Sequence, residues 1–412
     1  MLTVIGLTSG ISMDGVDAVI LDIEGSGEDL KYSVRAEETF PFSNRLRQRL
    51  RDVCNVEGGK AVEIPRLNYT LGELLSLSAV RVASRARIGI RSVDLIGSHG
   101  QTIFHLPTKI RENGRRAIIS TLQIGEPAVI AERTGKTTVA DFRSADIAAY
   151  GCGSPLLSYV DYILFMKYQR PMVLLNIGGI ATITAIDGTN EIESISAFEV
   201  GPGNIVIDNV MRILSNNGHE MDYNGLFALR GAVNQQLLDE LLESDYFKQQ
   251  PPKSVGSMDF GTSFCDELCN KARDRNISND DLVATVSQLT VASITEAVKD
   301  YILPAYDAGE IVVSGGGVHN RFIMQGLSES FPEMKVVNSK EYGISPDFKE
   351  ALGFAILAVE SIHERSTSFP WITGAAHEVT LGKIIPGRNW QYINLYARDY
   401  REHGEEKGRV EE

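Results

Sequence analysis

Cysteine is scarce: four residues in 412, at Cys54, Cys152, Cys265 and Cys269. Scattered thiols make no disulfide framework, a usage that suits a reducing compartment. Cys265 and Cys269 share a helical face, yet no His or Cys pair nearby completes four zinc ligands, so they read as buried thiols. Positive charge is also short, with 40 Lys+Arg against 54 Asp+Glu and a net charge of −14. With no spare cations to neutralise phosphates along a duplex, a nucleic-acid packaging role is excluded, whereas one nucleotide held locally is not. No window approaches the ~18 uninterrupted apolar residues of a membrane span. Met1–Gly6 carries no basic n-region and no apolar run, so no signal peptide and a cytoplasmic location are expected. His99, His105 and His319 show no metal-ligand spacing, and no Gly-x-Ser-x-Gly elbow offers a hydrolase nucleophile.

What is present is an ordinary globular composition, 43% hydrophobic and 23% charged, in a chain long enough for two domains. Leu2–Leu7 and Val16–Ile23 read as strands around a polar turn, and Met172–Ile177, Ala181–Ile186 and Ser194–Glu199 as three more. Helical spacing follows each group, in Asn44–Val53, Asn68–Ile88, Asn204–Asn216 and Asp280–Leu303, the last opened by the capping cluster Ser278-Asn279-Asp280-Asp281. Two halves that each begin with a strand meander and continue with helices predict an α/β chain of mixed sheets with internal duplication. Arg398–Glu412 holds ten charged residues and no evident apolar period, and is expected to be frayed.

Three glycine-bearing turns follow apolar strands. Thr8–Gly15 is too long and polar for a tight hairpin; Gly10 and Gly15 permit unusual backbone and Ser9 and Ser12 add donors. Asp14 in that turn would repel a phosphate unless a cation lay between them, so it reads as a Mg2+ anchor. Gly178-Gly179 follows Val173–Ile177, and Gly315-Gly316-Gly317 leads from a strand into a helix through His319 and Asn320. None is a Walker A or dinucleotide fingerprint, and each alone is equally a bulge or an irregular turn. Ser98–Thr102 and Asp141–Asp146 lie at strand ends, where α/β proteins bind ligands, although Arg143 between Asp141 and Asp146 is more commonly a structural ion-pair cluster. Glu199, before Gly201-Pro202-Gly203-Asn204, could be a general base or a helix-start carboxylate. Glu350 could be a solvated helix-face acid. The basic stretch Pro107–Arg116, with Lys109, Arg111, Arg115 and Arg116, reads as a solvated loop.

Taken in order, Ser98–Thr102, Leu122–Gly125, Thr138–Arg143, Leu175–Ile180, Gly201–Asn204, Pro251–Ser254 and Gly315–Gly317 resemble the anhydro-sugar kinases, namely the 1,6-anhydro-N-acetylmuramic acid kinases and levoglucosan kinase. The similarity runs from Gly6 to about Pro386. It implies the actin/hexokinase-like, duplicated RNase H-like fold, two lobes around a cleft. Residues 1–136 with 366–412 would form the first lobe and 137–365 the second. It further implies ATP and Mg2+, a small anhydro sugar, and a tendency to homodimers. Ser9, Gly10, Ser12 and Gly15 would be the first phosphate loop, with Asp14 and Glu350 near the metal. Gly178 and Gly179 would be the second phosphate loop, and Gly315, Gly316, Gly317 and Asn320 the adenosine side. His99, Gln101, Asp141, Arg143 and Asp146 would be the sugar side. In the family, a carboxylate at the position of Glu199 activates water, which opens the anhydro bridge as the released oxygen takes a phosphoryl group.

The chain departs from the family pattern within this set. Glu199 stands where the family has aspartate, Ile11 where it has threonine, and Gly256-Ser257-Met258 where it has Gly-Arg-Glu. Cys152, Ser154 and Thr182 replace Gln, Ala and Asn. These changes point to a shifted sugar preference. The alternative is a diverged nucleotide- or sugar-binding or regulatory protein, against which the full set of acidic and glycine-loop residues argues.

Overall fold

The computed structural model describes residues 1–54, 60–110, 118–189 and 191–408. Its first sheet begins with an antiparallel meander of β1 (Leu2–Ser9), β2 (Gly15–Glu24) and β3 (Lys31–Pro41). β4 (Leu95–Ile110) then joins β1 in parallel, and β5 (Ile118–Ile124) folds back on the far half of β4. β6 (Thr137–Ala140) continues the parallel edge. The second sheet repeats the plan: a meander of β7 (Met172–Ile177), β8 (Ile180–Ile186) and β9 (Ser196–Pro202), then β10 (Glu310–Ser314) and β11 (Lys335–Asn338) parallel to β7. Late in the chain β12 (Lys383–Ile385) returns to pair with β6. The orders β3-β2-β1-β4-β6 and β9-β8-β7-β10-β11 are one topology used twice, so the expected duplication and mixed α/β class hold.

Alternation along the strands divides the apolar residues into three layers. On β1, Leu2 and Val4 face a core shared by the two sheets, whereas Ile5 and Leu7 face an outer core against the Glu63–Arg85 helix. On β7, Met172 and Leu174 enter the shared core while Val173, Leu175 and Ile177 face the other outer core, which holds the Asn279–Ala297 helix. Ser278 caps that helix, its hydroxyl accepting from Asp281 N at 3.1 Å. The shared core encloses two helices, Ser158–Phe165 and Lys349–Ile362, the second buried on nearly every side. Its close seat depends on glycine: a Cβ on Gly6 would sit 1.8 Å from Ala351 O, and one on Gly97 2.1 Å from Phe354 O. The helix backbone therefore lies directly on β1 and β4, with Glu350 and Phe354 delivered to the cleft at its amino end.

Two expectations change, and one strand is new. The boundary after residue 136 cuts through the first sheet, because β6 is hydrogen-bonded between β4 and β12. The carboxy-terminal segment is a helix, Trp390–Gly408, rather than a frayed tail as far as residue 408. Ile393 and Ala397 bury one face of it, and the Tyr400 ring lies 4.5 Å from that of His363, an apolar stripe that the surrounding charges obscure in sequence. β3 was not anticipated because its residues alternate between exposed and half-buried at a charged sheet edge. Residues 111–116 of the basic stretch lie outside the described residues. Among the described residues, no helix is long and apolar enough to cross a membrane.

Candidate active site

Between the sheets opens a cleft of about 570 Å3 walled by both lobes. The β1–β2 turn forms one lip. Ser9 is buried at its base, with its hydroxyl 2.7 Å from Gln101 Oε1 and 2.9 Å from the Gly15 carbonyl. Gln101 Nε2 donates to Gly10 O at 3.1 Å. These bonds fasten the turn to β4; Ser9 still borders the cleft, whereas Gln101 lies behind it. Gly15 is likewise buried as the first residue of β2. The exposed crest keeps Gly10, Ser12 and Asp14 on the cleft, with Ser12 Oγ donating to Asp14 Oδ1 at 2.7 Å.

The opposite lip is the two-residue turn Gly178-Gly179. Gly178 O accepts from Asn204 N at 2.9 Å, and Gly179 O accepts from Gly203 N at 2.9 Å and Ile205 N at 3.1 Å. The Gly-Pro-Gly-Asn segment is thus a clamp on this turn. A Cβ at Gly203 would come within 2.4 Å of Gly178 O, so only glycine allows the approach. Ile11 leans over from the first lobe, and a Cβ on Gly179 would lie 2.9 Å from Ile11 Cβ. The two turns therefore meet across the cleft. At its far end Gly315 and Gly316 line the wall, while Gly317 is packed against Ile177 behind it. Asn320 caps the Arg321–Ser330 helix, accepting from Phe322 N at 3.1 Å and Ile323 N at 3.3 Å, and also borders the cleft.

Glu199 projects from β9 and is 7% exposed. Its Oε2 accepts from Ser254 Oγ at 2.9 Å and Val255 N at 2.6 Å, and its Oε1 accepts from the Ser154 hydroxyl. A carboxylate has about four lone-pair positions, so three donors leave one free, on Oε1. Beside it Arg143 donates to Gly153 O at 2.9 Å and makes no ion pair among the described residues, with Nε unpartnered. Burial pushes the guanidinium down from its ordinary value, and Glu199 is the foremost charge holding it up. His99 stacks on Phe354 at 4.6 Å, and neither ring nitrogen has a well-formed hydrogen bond. Burial and the nearby Arg143 push it down to about 3, so it enters the cleft as a neutral ring.

The Asp141–Asp146 cluster separates. Asp141 points to Lys383 Nζ at 2.9 Å on β12, away from the cleft. Asp146 is fully buried: Oδ2 accepts from Gly153 N at 2.7 Å, and Oδ1 from Ser368 and Thr373 hydroxyls at 2.6 Å. It pins the 151–154 segment that carries Ser154. Neither aspartate lines the cleft, and neither pairs with Arg143, so the expected ion-pair cluster does not form; only Arg143 of the three reaches the site.

Several cleft residues went unread in the sequence. Lys349 and Asp161, both buried, face each other at 2.5 Å on the cleft floor, one from each shared-core helix. Thr184 Oγ1 donates to Asp161 Oδ2 at 2.9 Å, and Asn176 Nδ2 donates to Glu350 Oε1 at 2.9 Å. Asp17 lies below the first turn, receives Thr39 Oγ1 at 2.5 Å, and is raised to about 7 by burial and by the negative charges of Asp14, Glu350 and Asp347. A charged residue inside an otherwise buried strand, as Asp17 is in Val16–Ile23, was the available signal. Lys349 gave none, since its partner is 188 positions away in sequence (349 − 161).

Known proteins resemble this chain over most of its length. The anhydro-N-acetylmuramic acid kinase family matches residues 2–387. A protein of that name from Caldanaerobacter subterraneus subsp. tengcongensis is 41% identical over 381 residues, covering 92% of this chain and 96% of the relative. One from Salinibacter ruber is 39% identical over 386 residues, covering 93% and 96%. A third, from Clostridioides difficile, is 38% identical over 382 residues, covering 93% and 98%.

Proposed function

The chain belongs to the anhydro-N-acetylmuramic acid kinase family, and from that premise we propose that it is an ATP-dependent kinase that hydrolytically opens a 1,6-anhydro sugar and phosphorylates O6. The substrate is anhydro-N-acetylmuramic acid or a levoglucosan-like sugar. One observation carries the reading: a buried carboxylate, Glu199, held by three donors, keeps one free lone pair in a cleft that Arg143 and both glycine-bearing turns also line.

Glu199 Oε1 takes a proton from water, whose oxygen bonds to the anomeric carbon as the bond from that carbon to O6 breaks. O6 takes the γ-phosphoryl group and ADP leaves. Arg143 and the neutral His99 border the sugar at this end. The backbone of Gly10, Gly178 and Gly179 cradles phosphates, with the Ser12 hydroxyl steadying Asp14 beside them, while Gly315, Gly316 and Asn320 border the adenosine. Phosphoryl transfer asks mainly for alignment and charge neutralisation, and contact between the turns through Ile11 and Gly179 narrows the space open to stray water.

The donor set suits Mg2+. Among the described residues no three acids, histidines or cysteines converge as a self-sufficient cage. One or two carboxylates on the phosphate lip are what this ion takes when phosphates and waters complete its shell. Asp14 and Glu350 would hold it; Asp17 nearby is raised first by burial, with their negative charges adding to it. When bound, the cation neutralises charge on the phosphates.

The test is coupled ADP release with Mg-ATP against 1,6-anhydro-N-acetylmuramic acid, levoglucosan and glucose. Turnover on an anhydro sugar, lost in Glu199→Gln, is expected. No turnover on any sugar, with calorimetric ATP binding intact, would instead identify a diverged binding protein.

A further inference from the structure

Glu199 is not held by its own lobe alone. Ser254, which donates to Oε2, lies 3.0 Å from Nε2 of His105, and His105 Nδ1 lies 3.2 Å from Thr121 Oγ1. His105 is on β4 and Thr121 on β5, the hairpin of the first lobe, whereas Ser254 and Glu199 belong to the second. Backbone bonds fix the same junction: His105 N donates to Ser257 Oγ at 2.7 Å and Ser257 N donates to His105 O at 2.7 Å. His105 is 6% exposed.

The direction of these bonds is determined. A carboxylate only accepts, so the single Ser254 proton goes to Glu199, and Ser254 Oγ must accept from His105. Nε2 therefore carries the hydrogen, and Nδ1 is bare and accepts from Thr121. Gln123 Nε2 in turn donates to Thr121 Oγ1 at 2.8 Å; the competing acceptor for the Thr121 proton, the Phe104 carbonyl, is at 3.3 Å. Every donor in the chain Gln123–Thr121–His105–Ser254 points toward Glu199. Burial, with Arg143 nearby, depresses His105 to about 3, which keeps the ring neutral and this polarity in place near neutral pH.

We propose that His105 is a positioning residue for ring opening, acting across the lobes through Ser254 to anchor Glu199 Oε2 and leave Oε1 for water. This rests on the reading of Glu199 as the base. Its consequence is that the base is aligned only while the β4–β5 hairpin contacts the 253–257 segment, so water activation depends on that contact between the lobes.

The experiment compares His105→Phe, His105→Gln, Ser254→Ala and the double His105→Phe/Ser254→Ala, with Glu199→Gln as control, on 1,6-anhydro-N-acetylmuramic acid and Mg-ATP. His105→Phe is expected to lower kcat roughly 10- to 100-fold, the cost of a base displaced by about 1 Å, with KM for ATP within about twofold. His105→Gln, which keeps a donor near Nε2, is expected to recover most of the loss. The double variant is expected to lose no more than the worse single, because both act on one bond. Full activity in His105→Phe, or additive losses, overturns the inference while an inactive Glu199→Gln leaves the base assignment standing. An active Glu199→Gln overturns both. Long-range 15N spectra of the unmodified protein give a check independent of turnover: hydrogen on Nε2 of His105 supports the chain, and hydrogen on Nδ1 overturns it.

Discussion

β3 and β9 occupy the same place in the two sheets, third in a meander, and have opposite fates. β3 is a half-solvated edge carrying Arg35, Glu37 and Glu38. β9 is buried from Ala197 to Pro202, covered by the Asn279–Ala297 helix and bordered by the segment around Lys253, whose carbonyl accepts from Glu199 N at 3.3 Å. The same contrast runs through the turns: five residues, 10–14, separate β1 from β2, whereas Gly178 and Gly179 alone separate β7 from β8 under the Gly203 clamp. Duplication supplies equivalent positions; what is packed over each decides whether a carboxylate there is solvated or buried and hydrogen-bonded.

The sharpest way to break this comparison is to neutralise a carboxylate on each strand. Glu199→Gln is expected to cut kcat on the anhydro sugar by about 10²–10⁴, the usual worth of a general base. Glu38→Gln, which removes only a surface pair with Arg85, is expected to change stability by less than about 0.5 kcal/mol. Equal effects would mean that burial is not what distinguishes them.

The next largest effect concerns the floor where the shared-core helices meet. Lys349→Met leaves Asp161 buried without its cation and should destabilise by about 3–5 kcal/mol in denaturant titration. An unchanged midpoint would mean that water or another group already neutralises Asp161. The turns are tested with Gly179→Ala, whose added Cβ meets Ile11. Strain of about 1–3 kcal/mol is expected as weakened ATP binding by calorimetry, relieved in the double variant with Ile11→Gly, which removes the Cβ that the new methyl meets. If the double variant binds no better, the turns are not in contact in solution.

The smallest effect is the pH dependence contributed by Asp17. Its folded value, about 7, lies above the ordinary 3.8, so between these values the folded state holds a proton that the unfolded state has lost. In Mg2+-free buffer its contribution makes stability fall as pH rises from about 4 to about 7, then level off. Asp17→Asn should flatten that slope in thermal melts across the window; an unchanged slope would assign it to other groups.

Much of the layout was legible in the sequence. Continuous apolar strands such as Met172–Ile177 and Glu310–Ser314 announce buried sheet positions, and glycine pairs after them mark close backbone approach. β3 and the carboxy-terminal helix were not, because a solvated edge and a charged helix carry their apolar signal in a few positions diluted by polar neighbours. The residues of the cleft divide the same way. Gly10, Gly178, Gly179, Glu199 and Glu350 lie in local patterns with a chemical meaning of their own, and all line the cleft.

By itself, the sequence determined the fold class, the duplicated plan, the family and the loops that border the cleft, since each is written in hydrophobic period, turn chemistry or ordered motifs over short distances. Tertiary structure alone decided which polar groups are spent and which are free. It tied Ser9 to Gln101, turned Asp146 inward, sent Asp141 to Lys383, left Arg143 Nε without a partner, and brought His105 across to Ser254. Hydrogen-bond partners far apart in the chain leave no periodic trace, so their pairing is fixed only when the sheets and helices that carry them are packed together.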